Sequence, residues 1–320
     1  MTGRIEAICV SESKGEAKQP VEQATFVVDY GIQGDAHAGQ WHREVSLLSA
    51  EEAAAWKEQV PDLGPGAFAE NILVSGLELG RVGLGSRLRL GREVELTITQ
   101  IGKVCHGHTC TVFERLGECL MPRRGLFARV TIGGMASAGD PVAVEQLVPR
   151  QAIQAVVLTV SDRCARGEAT DTAGPAVARL LADALGAHVY RTEVLPDEQQ
   201  AIAERLKHYC DGHSIDLVVT VGGTGLAPRD VTPEATRAVV ERPTPGLDEA
   251  MRAASLASTA HAMLSRGASG IRKSTLILNL PGSERGATEN LQAVVAALPH
   301  GIDKLRGDPS DCGRPGAPEA

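Results

Sequence analysis

Apolar positions along the chain change their rhythm near its middle. Up to about Gln146 they come in short segments bounded by glycine, Val45 to Leu48, Ser86 to Leu90, Val94 to Thr99 and Phe127 to Ile132. That is the pattern of a many-stranded barrel or sandwich. Beyond Gln154 the pattern alternates: Ala155 to Val160 is a continuous apolar strand, Pro175 to Leu185 has helical spacing, His188 to Val194 reads as a strand and Glu198 to Tyr209 as a helix. Leu217 to Val221 and Leu276 to Leu280 add two buried strands, each running into a glycine turn. Such alternation predicts a three-layer α/β domain with a mostly parallel sheet. The change falls at Pro149 and Arg150, so the expected units are a mainly β, barrel-like domain over 1–148 and an α/β domain over 152–300. Gly301 to Ala320, rich in Gly, Pro and Asp, is expected to be a flexible tail.

A chain of 320 residues is long enough for both units to bury a core. Its formal net charge of -8, with signs mixed throughout, argues against nucleic acid or an anionic membrane surface and for small-molecule chemistry. No apolar run approaches the roughly 20 residues of a membrane span, and Met1 to Val10 lacks the basic start of a leader, so a cytoplasmic protein is expected. Seven cysteines, an odd number scattered through a large chain, point to reduced thiols.

In an open parallel sheet, chemistry gathers beyond the carboxyl ends of the strands. Gly222-Gly223-Thr224-Gly225 follows Leu217 to Val221 and can offer backbone N–H groups to a phosphate without Cβ obstruction. Then come Arg229, Asp230, Thr232, Pro233 and Glu234, with Thr232 suited to N-cap a helix that has Pro233 at its first position. Asp230 is placed to hold a hard divalent cation that screens phosphate charge. Ser161-Asp162 follows the first strand, and a local capping role is the alternative for both. Asp197 either caps the next helix or reaches the shared crevice. Ser283, in Pro281-Gly282-Ser283, would N-cap the last helix and leave an anion-binding terminus exposed. Ser265, Arg266, Arg272 and Lys273 supply basic and polar donors, or else solvate the surface.

Thr220 to Gly225, Arg229 to Ala235, Leu264 to Arg266 and Asn279 to Ser283 together resemble, in order and spacing, the molybdopterin adenylyltransferase family, and Val160 to Arg163 and Leu195 to Gln199 fit it as well. Molybdate-inserting domains and competence-damage-inducible proteins share the fold and the glycine loop. The resemblance implies ATP and molybdopterin as substrates with Mg2+, and a family habit of trimers. It also implies Asp197 and Asp230 as catalytic and metal-holding carboxylates and Gly222, Gly223, Thr224 and Gly225 as the phosphate cradle. Ser161, Asp162, Thr232, Glu234, Ser265, Arg266, Pro281, Gly282 and Ser283 would line the pocket. A molybdenum-cofactor carrier and a nucleotide-hydrolysing relative are the competing readings.

The first half carries Cys105-His106-Gly107-His108-Thr109-Cys110. No second close pair follows at structural-zinc spacing, Cys119 being a lone further thiol. Cys110 and Cys119 also read as small buried hydrophobes, whereas Lys103, His106 and His108 would favour a nucleophilic thiolate at Cys105. Gly31 to His37, Glu44 to Leu48, Pro65 to Asn71, Gly85 to Leu90 and Arg124 to Val130 resemble the MOSC domain. That resemblance implies a sulfur-carrying or cofactor-contacting role for Cys105 and molybdenum cofactor as ligand, with Arg43, Asn71, Arg124 and Arg129 as candidate anion partners. A fusion of the two would handle one labile cofactor, with molybdenum-insertion or molybdoenzyme partners.

Overall fold

The computed structural model describes residues 1–57, 63–103, 113 and 119–309. Two compact units divide the chain, Met1–Ala152 and Ile153–Ala320.

The first unit is built from β1 (Thr2–Val10), β2 (Gln19–Val21), β3 (Gln23–Val27), β4 (Gly31–Ile32), β5 (Val45–Ser49), β6 (Ile72–Ser75), β7 (Arg87–Leu90), β8 (Val94–Ile101), β9 (Leu126–Ile132), β10 (Gly134–Ser137) and β11 (Pro141–Gln146). The main sheet runs β11-β7-β8-β9-β5-β6-β1, and pairing of β1 with β11 closes it into a barrel. Period-2 alternation explains the filling: Leu88 and Leu90 point in and are fully buried, while Arg87 and Arg89 point out. Val94, Leu96 and Ile98 of β8 do the same. β3, β4 and β10 form a small second sheet, α1 (Ala50–Lys57) follows β5, α2 (Met121–Arg124) precedes β9, and a short α3 (Asp162–Ala165) opens the helices of the second unit.

The second unit has one sheet, ordered β13 (His188–Leu195), β12 (Gln154–Val160), β14 (Leu217–Val221), β17 (Thr275–Leu280), β16 (Gly270–Arg272), β15 (Arg242–Pro243). The pairings from β13 to β17 are parallel, and the two at the β15 edge are antiparallel. β12, β14 and β17 are buried at every position, which requires helices on both faces. Ala155, Val157, Leu217 and Val219 pack with α4 (Ala173–Leu185) and α8 (Glu284–Val294) through Val177, Leu181, Ala287 and Leu291. On the other face α5 (Gln199–Gly212) packs on β14 and α6 (Thr232–Arg237) on β17. α7 (Pro245–Leu256) lies against α8.

Two local expectations need correcting. Gly301 to Leu305 is not tail: it belongs to α9 (Leu298–Leu305), because Leu298 and Ile302, one turn apart, are buried in the core, and Arg306 then forks onto Asp216 at 2.8 and 2.6 Å. For the same reason the helix capped by Ser283 is followed by another. Residues 310–320 of the expected tail lie outside the described residues.

Candidate active site at the strand ends

Loops leaving β12, β13, β14 and β17 meet closely enough that side chains would not fit. A Cβ on Gly222 (φ +111°) would sit 2.3 Å from the Val160 carbonyl oxygen, and one on Gly282 would sit 3.3 Å from the Gly222 Cα. Gly223 (φ +63°) is in the left-handed region, and its Cβ would meet Thr232 Oγ1 at 2.4 Å and Asp197 Oδ1 at 3.1 Å. Glycine is therefore demanded both by conformation and by the approach of neighbouring loops.

The hydrogen bonds of the glycine loop are one-sided. Its carbonyls are held from behind: Gly223 O accepts from Thr232 N (3.1 Å), Thr224 O from Arg266 N (2.9 Å), and Gly225 O from Arg266 Nε (2.7 Å). Among the described residues, the N–H groups of Gly223, Thr224 and Gly225 donate to no protein acceptor. Three successive unclaimed amides are the elements of an anion-binding nest. They border a cavity of about 710 Å³ that is also lined by Asp230, Ser265, Pro281, Gly282 and Ser283.

Acids crowd the same strand ends. Asp197 Oδ2 accepts from the Asp162 amide (2.7 Å), and Asp162 Oδ1 accepts from the Asp197 amide (3.0 Å), so each carboxylate caps the other's loop. Arg229 forks onto Asp162 at 3.0 and 2.9 Å. The amide of Asp197, with help from Arg229, holds the Asp162 carboxyl below its usual value. Asp197 behaves oppositely: burial, reinforced by the charges of Asp162 and Asp230, pushes it up. Asp230 Oδ2 accepts from the Ala227 amide at 2.8 Å. A carboxyl kept uncomfortable by two others is where a divalent cation brings relief. Among the described residues no three His, Cys, Asp or Glu side chains are grouped as a ready-made cage.

The geometry reassigns several sequence candidates. Thr232 does not N-cap α6: Val231 holds that position, the Thr232 amide is committed to Gly223, and its fully buried Oγ1 has no partner. Arg266 is not a spare donor for phosphate, because its guanidinium is spent on Gly225 O, Asp230 O and Glu234. Glu234 is thereby a support behind the loop, and Arg272 is likewise tied to Asp211 (2.9 and 2.6 Å). Asp197 reaches across to Asp162 rather than capping α5. Ser161 and Ser283 do cap, accepting from Cys164 N (3.3 Å) and Gly286 N (3.2 Å). The cavity's far wall was missed in sequence: Arg252 on α7 and Glu289 and Asn290 on α8 complete it. Their one signal is helical spacing, with Arg252 one turn after Asp248 and next to the buried Met251.

In the barrel, Cys105, His106, His108 and Cys110 lie outside the described residues. Burial pushes the thiol of Cys9 up to about 12, which makes it inert. Cys119 packs beside the cluster of Leu48, Phe68, Met121 and Phe127, as its apolar reading expects. Three of the four candidate anion partners are engaged internally: Asn71 bonds Ser46 N (3.1 Å), Ser46 Oγ (3.0 Å) and Cys9 O (3.1 Å), Arg124 faces Glu52 (3.6 Å), and Arg129 faces Asp29 (3.1 Å) and Glu44 (3.4 Å). Arg43 instead stacks on Trp41 (4.7 Å) with a buried Nε that has no partner among the described residues.

Together these features define an α/β domain with a mostly parallel sheet that carries an amide nest and several acids at its strand ends, preceded by a closed β-barrel. Family profiles agree: the probable molybdopterin binding domain matches residues 156–300, and the MOSC domain matches 34–143. The chain is 42% identical over 159 residues to the molybdopterin adenylyltransferase of Helicobacter pylori strain J99, covering 49% of this chain and 90% of that protein. It is 41% identical over 154 residues to the molybdenum cofactor synthesis protein cinnamon of Drosophila melanogaster, covering 48% of this chain but 26% of that longer relative. Among solved structures, the molybdopterin biosynthesis enzyme MoaB of Thermus thermophilus is 48% identical, with a TM-score of 0.47, covering 49% of this chain and 98% of that one. The chain belongs to the molybdopterin adenylyltransferase family.

Proposed function

We propose that the second unit transfers the adenylyl group of ATP to molybdopterin. A terminal phosphate oxygen of molybdopterin forms a bond to the α-phosphorus of ATP, the bond from that phosphorus to the β-bridging oxygen breaks, and pyrophosphate leaves. Such a transfer asks for alignment and charge neutralisation rather than covalent help. The observation that carries the reading is the glycine loop, with its carbonyls tied back by Arg266 and Thr232 and three amides left for phosphate oxygens. Asp197 and Asp230 border that loop and would hold Mg2+, which neutralises phosphate charge when bound. Ser265, Gly282 and Ser283 bound the pocket that positions the substrates. Asp162 acts indirectly, by fixing the loop of Asp197.

The barrel, over about 1–148, serves in this reading as a cofactor-binding or sulfur-handling module tethered to the transferase, which raises the local concentration of a labile intermediate. We place the protein in the cytoplasm as a homo-oligomer, a trimer by the family's habit. Among the described residues no helix is long and apolar enough to cross a membrane.

Pyrophosphate release from MgATP, with and without molybdopterin, tests the reading in the intact chain and in Asp230→Ala. Molybdopterin-dependent release that the variant loses, and that a chelator abolishes, is expected. Release without molybdopterin would indicate a nucleotide hydrolase, and tight molybdopterin binding without turnover a carrier.

A further inference from the structure

Arg252 projects from the middle of α7, half-buried, into the wall between two cavities. One is the 710 Å³ cavity facing the glycine loop; the other, of about 640 Å³, is also bordered by Arg237, Asp248, Arg266 and Ser269. The carboxylates around it take their hydrogen bonds from other donors, although the Asp248 carboxyl feels the charge of Arg252. Asp248, one turn earlier on the same helix, has its two oxygens on the Ser269 amide (2.9 Å) and hydroxyl (2.6 Å). Glu289, across the cavity, accepts from Arg285 Nε at 2.7 Å, and Asp230 accepts from the Ala227 amide. The neighbouring cations are spent: Arg266 on Glu234 (2.5 Å), and Arg237 on Glu234 (3.6 Å) and the Arg266 carbonyl (3.1 Å). Among the described residues Arg252 makes no hydrogen bond and no ion pair within 4 Å, although a guanidinium cannot shed its charge.

A permanent cation that makes no hydrogen bond or ion pair within 4 Å among the described residues, on the wall of a cavity also bordered by three unclaimed amides, is placed to receive an anion. We propose that Arg252 is a substrate-binding residue, whose fork takes the phosphoryl oxygens of a ligand seated on the Gly223–Gly225 amides. The planar fork matches two oxygens of a phosphoryl group, as it does those of a carboxylate. The proposal rests on the adenylyl-transfer reading only for the source of the phosphate, which is either the polyphosphate of ATP or the monophosphate of molybdopterin.

Calorimetric titration of the full chain with MgATP, magnesium pyrophosphate and molybdopterin, for the wild type, Arg252→Ala and Arg252→Lys, separates the cases. Arg252→Ala is expected to bind at least one of these ligands about tenfold or more weakly, with Arg252→Lys in between because it keeps charge but not the fork. Weakening confined to MgATP and pyrophosphate assigns the polyphosphate; weakening confined to molybdopterin assigns its phosphate. Unchanged affinity for all three in Arg252→Ala overturns the proposal and leaves adenylyl transfer standing. Arg252-dependent pyrophosphate binding in a chain that never turns over would do the reverse. An Arg252→Ala chain that fails to fold would also overturn it, because the proposal requires that Arg252 have no internal partner.

Discussion

Each unit of this molecule gathers charge, and the two do so in opposite ways. In the barrel, Lys18 and Asp35 are both almost fully buried and paired to each other, and Asp35 also accepts from the Ser11 amide (3.1 Å) and the His37 amide (2.9 Å). Nearby Glu70, equally buried, is held by the amides of Gly66 (2.6 Å) and Phe68 (3.0 Å). Each oxygen of these two carboxylates has an internal donor, although burial still pushes the Glu70 carboxyl up. At the strand ends of the second unit, Asp197 is pressed by Asp162 and Asp230, three loop amides have no acceptor, and Arg252 makes no ion pair within 4 Å among the described residues. Satisfied polar clusters specify a fold, whereas unsatisfied ones wait for a ligand.

The sharpest way to break this contrast is to unbalance the satisfied cluster. Lys18→Met leaves Asp35 buried without its partner and should destabilise the barrel by about 3–5 kcal/mol, read by denaturant unfolding, without changing nucleotide binding by the other unit. Burial alone would raise the Asp35 carboxyl, but His37 and Lys18 together pull it well below its ordinary value. Its stabilisation is thus fully present above the unfolded-state value of about 3.9 and fades as pH falls toward the folded one. Acid titration of the barrel in Asp35→Asn should lack that component.

Removing an unsatisfied acid should do the opposite, costing activity and little stability. Asp230→Ala should lower turnover by roughly 10²–10³, with an unfolding midpoint close to that of the wild type. Arg266→Lys keeps the charge but cannot tie Gly225 O, Asp230 O and Glu234 at once, so MgATP affinity should fall by about tenfold. The smallest effect is in Asp197→Asn. Because burial raises the folded carboxyl, ionisation at neutral pH works against folding, so this variant should melt slightly above the wild type at pH 7. That gain should vanish as pH falls below the ordinary aspartate range.

How much of this was legible in the sequence follows the same division. Local backbone demands leave marks: glycines at 222, 223 and 282, the strand-end position of Asp197 and Asp230, and the serine cap at Ser283 were readable because each is fixed by its own neighbours. Partners distant in sequence are not. Nothing at Arg266 reveals that its fork is consumed 36 residues away at Asp230, and nothing at Lys18 announces Asp35. Thr232 looked like a cap because its residue type and the following proline fit one. The competing hydrogen bond from its amide to Gly223 depends on how the loop folds back. Arg252 sits in an ordinary amphipathic helix and becomes conspicuous only when it is seen to border the cavity without an ion pair within 4 Å among the described residues. The barrel's edge closure by β1 and β11 likewise joins the two ends of the unit, beyond the reach of periodicity.

The unsatisfied cluster is proposed to join ATP to molybdopterin. The most direct test incubates the intact chain with MgATP and molybdopterin and quantifies pyrophosphate and adenylylated molybdopterin together. Equal amounts of both, and neither when molybdopterin is withheld, are predicted. Pyrophosphate or phosphate formed without adenylylated molybdopterin, or molybdopterin retained with no pyrophosphate at all, would contradict it.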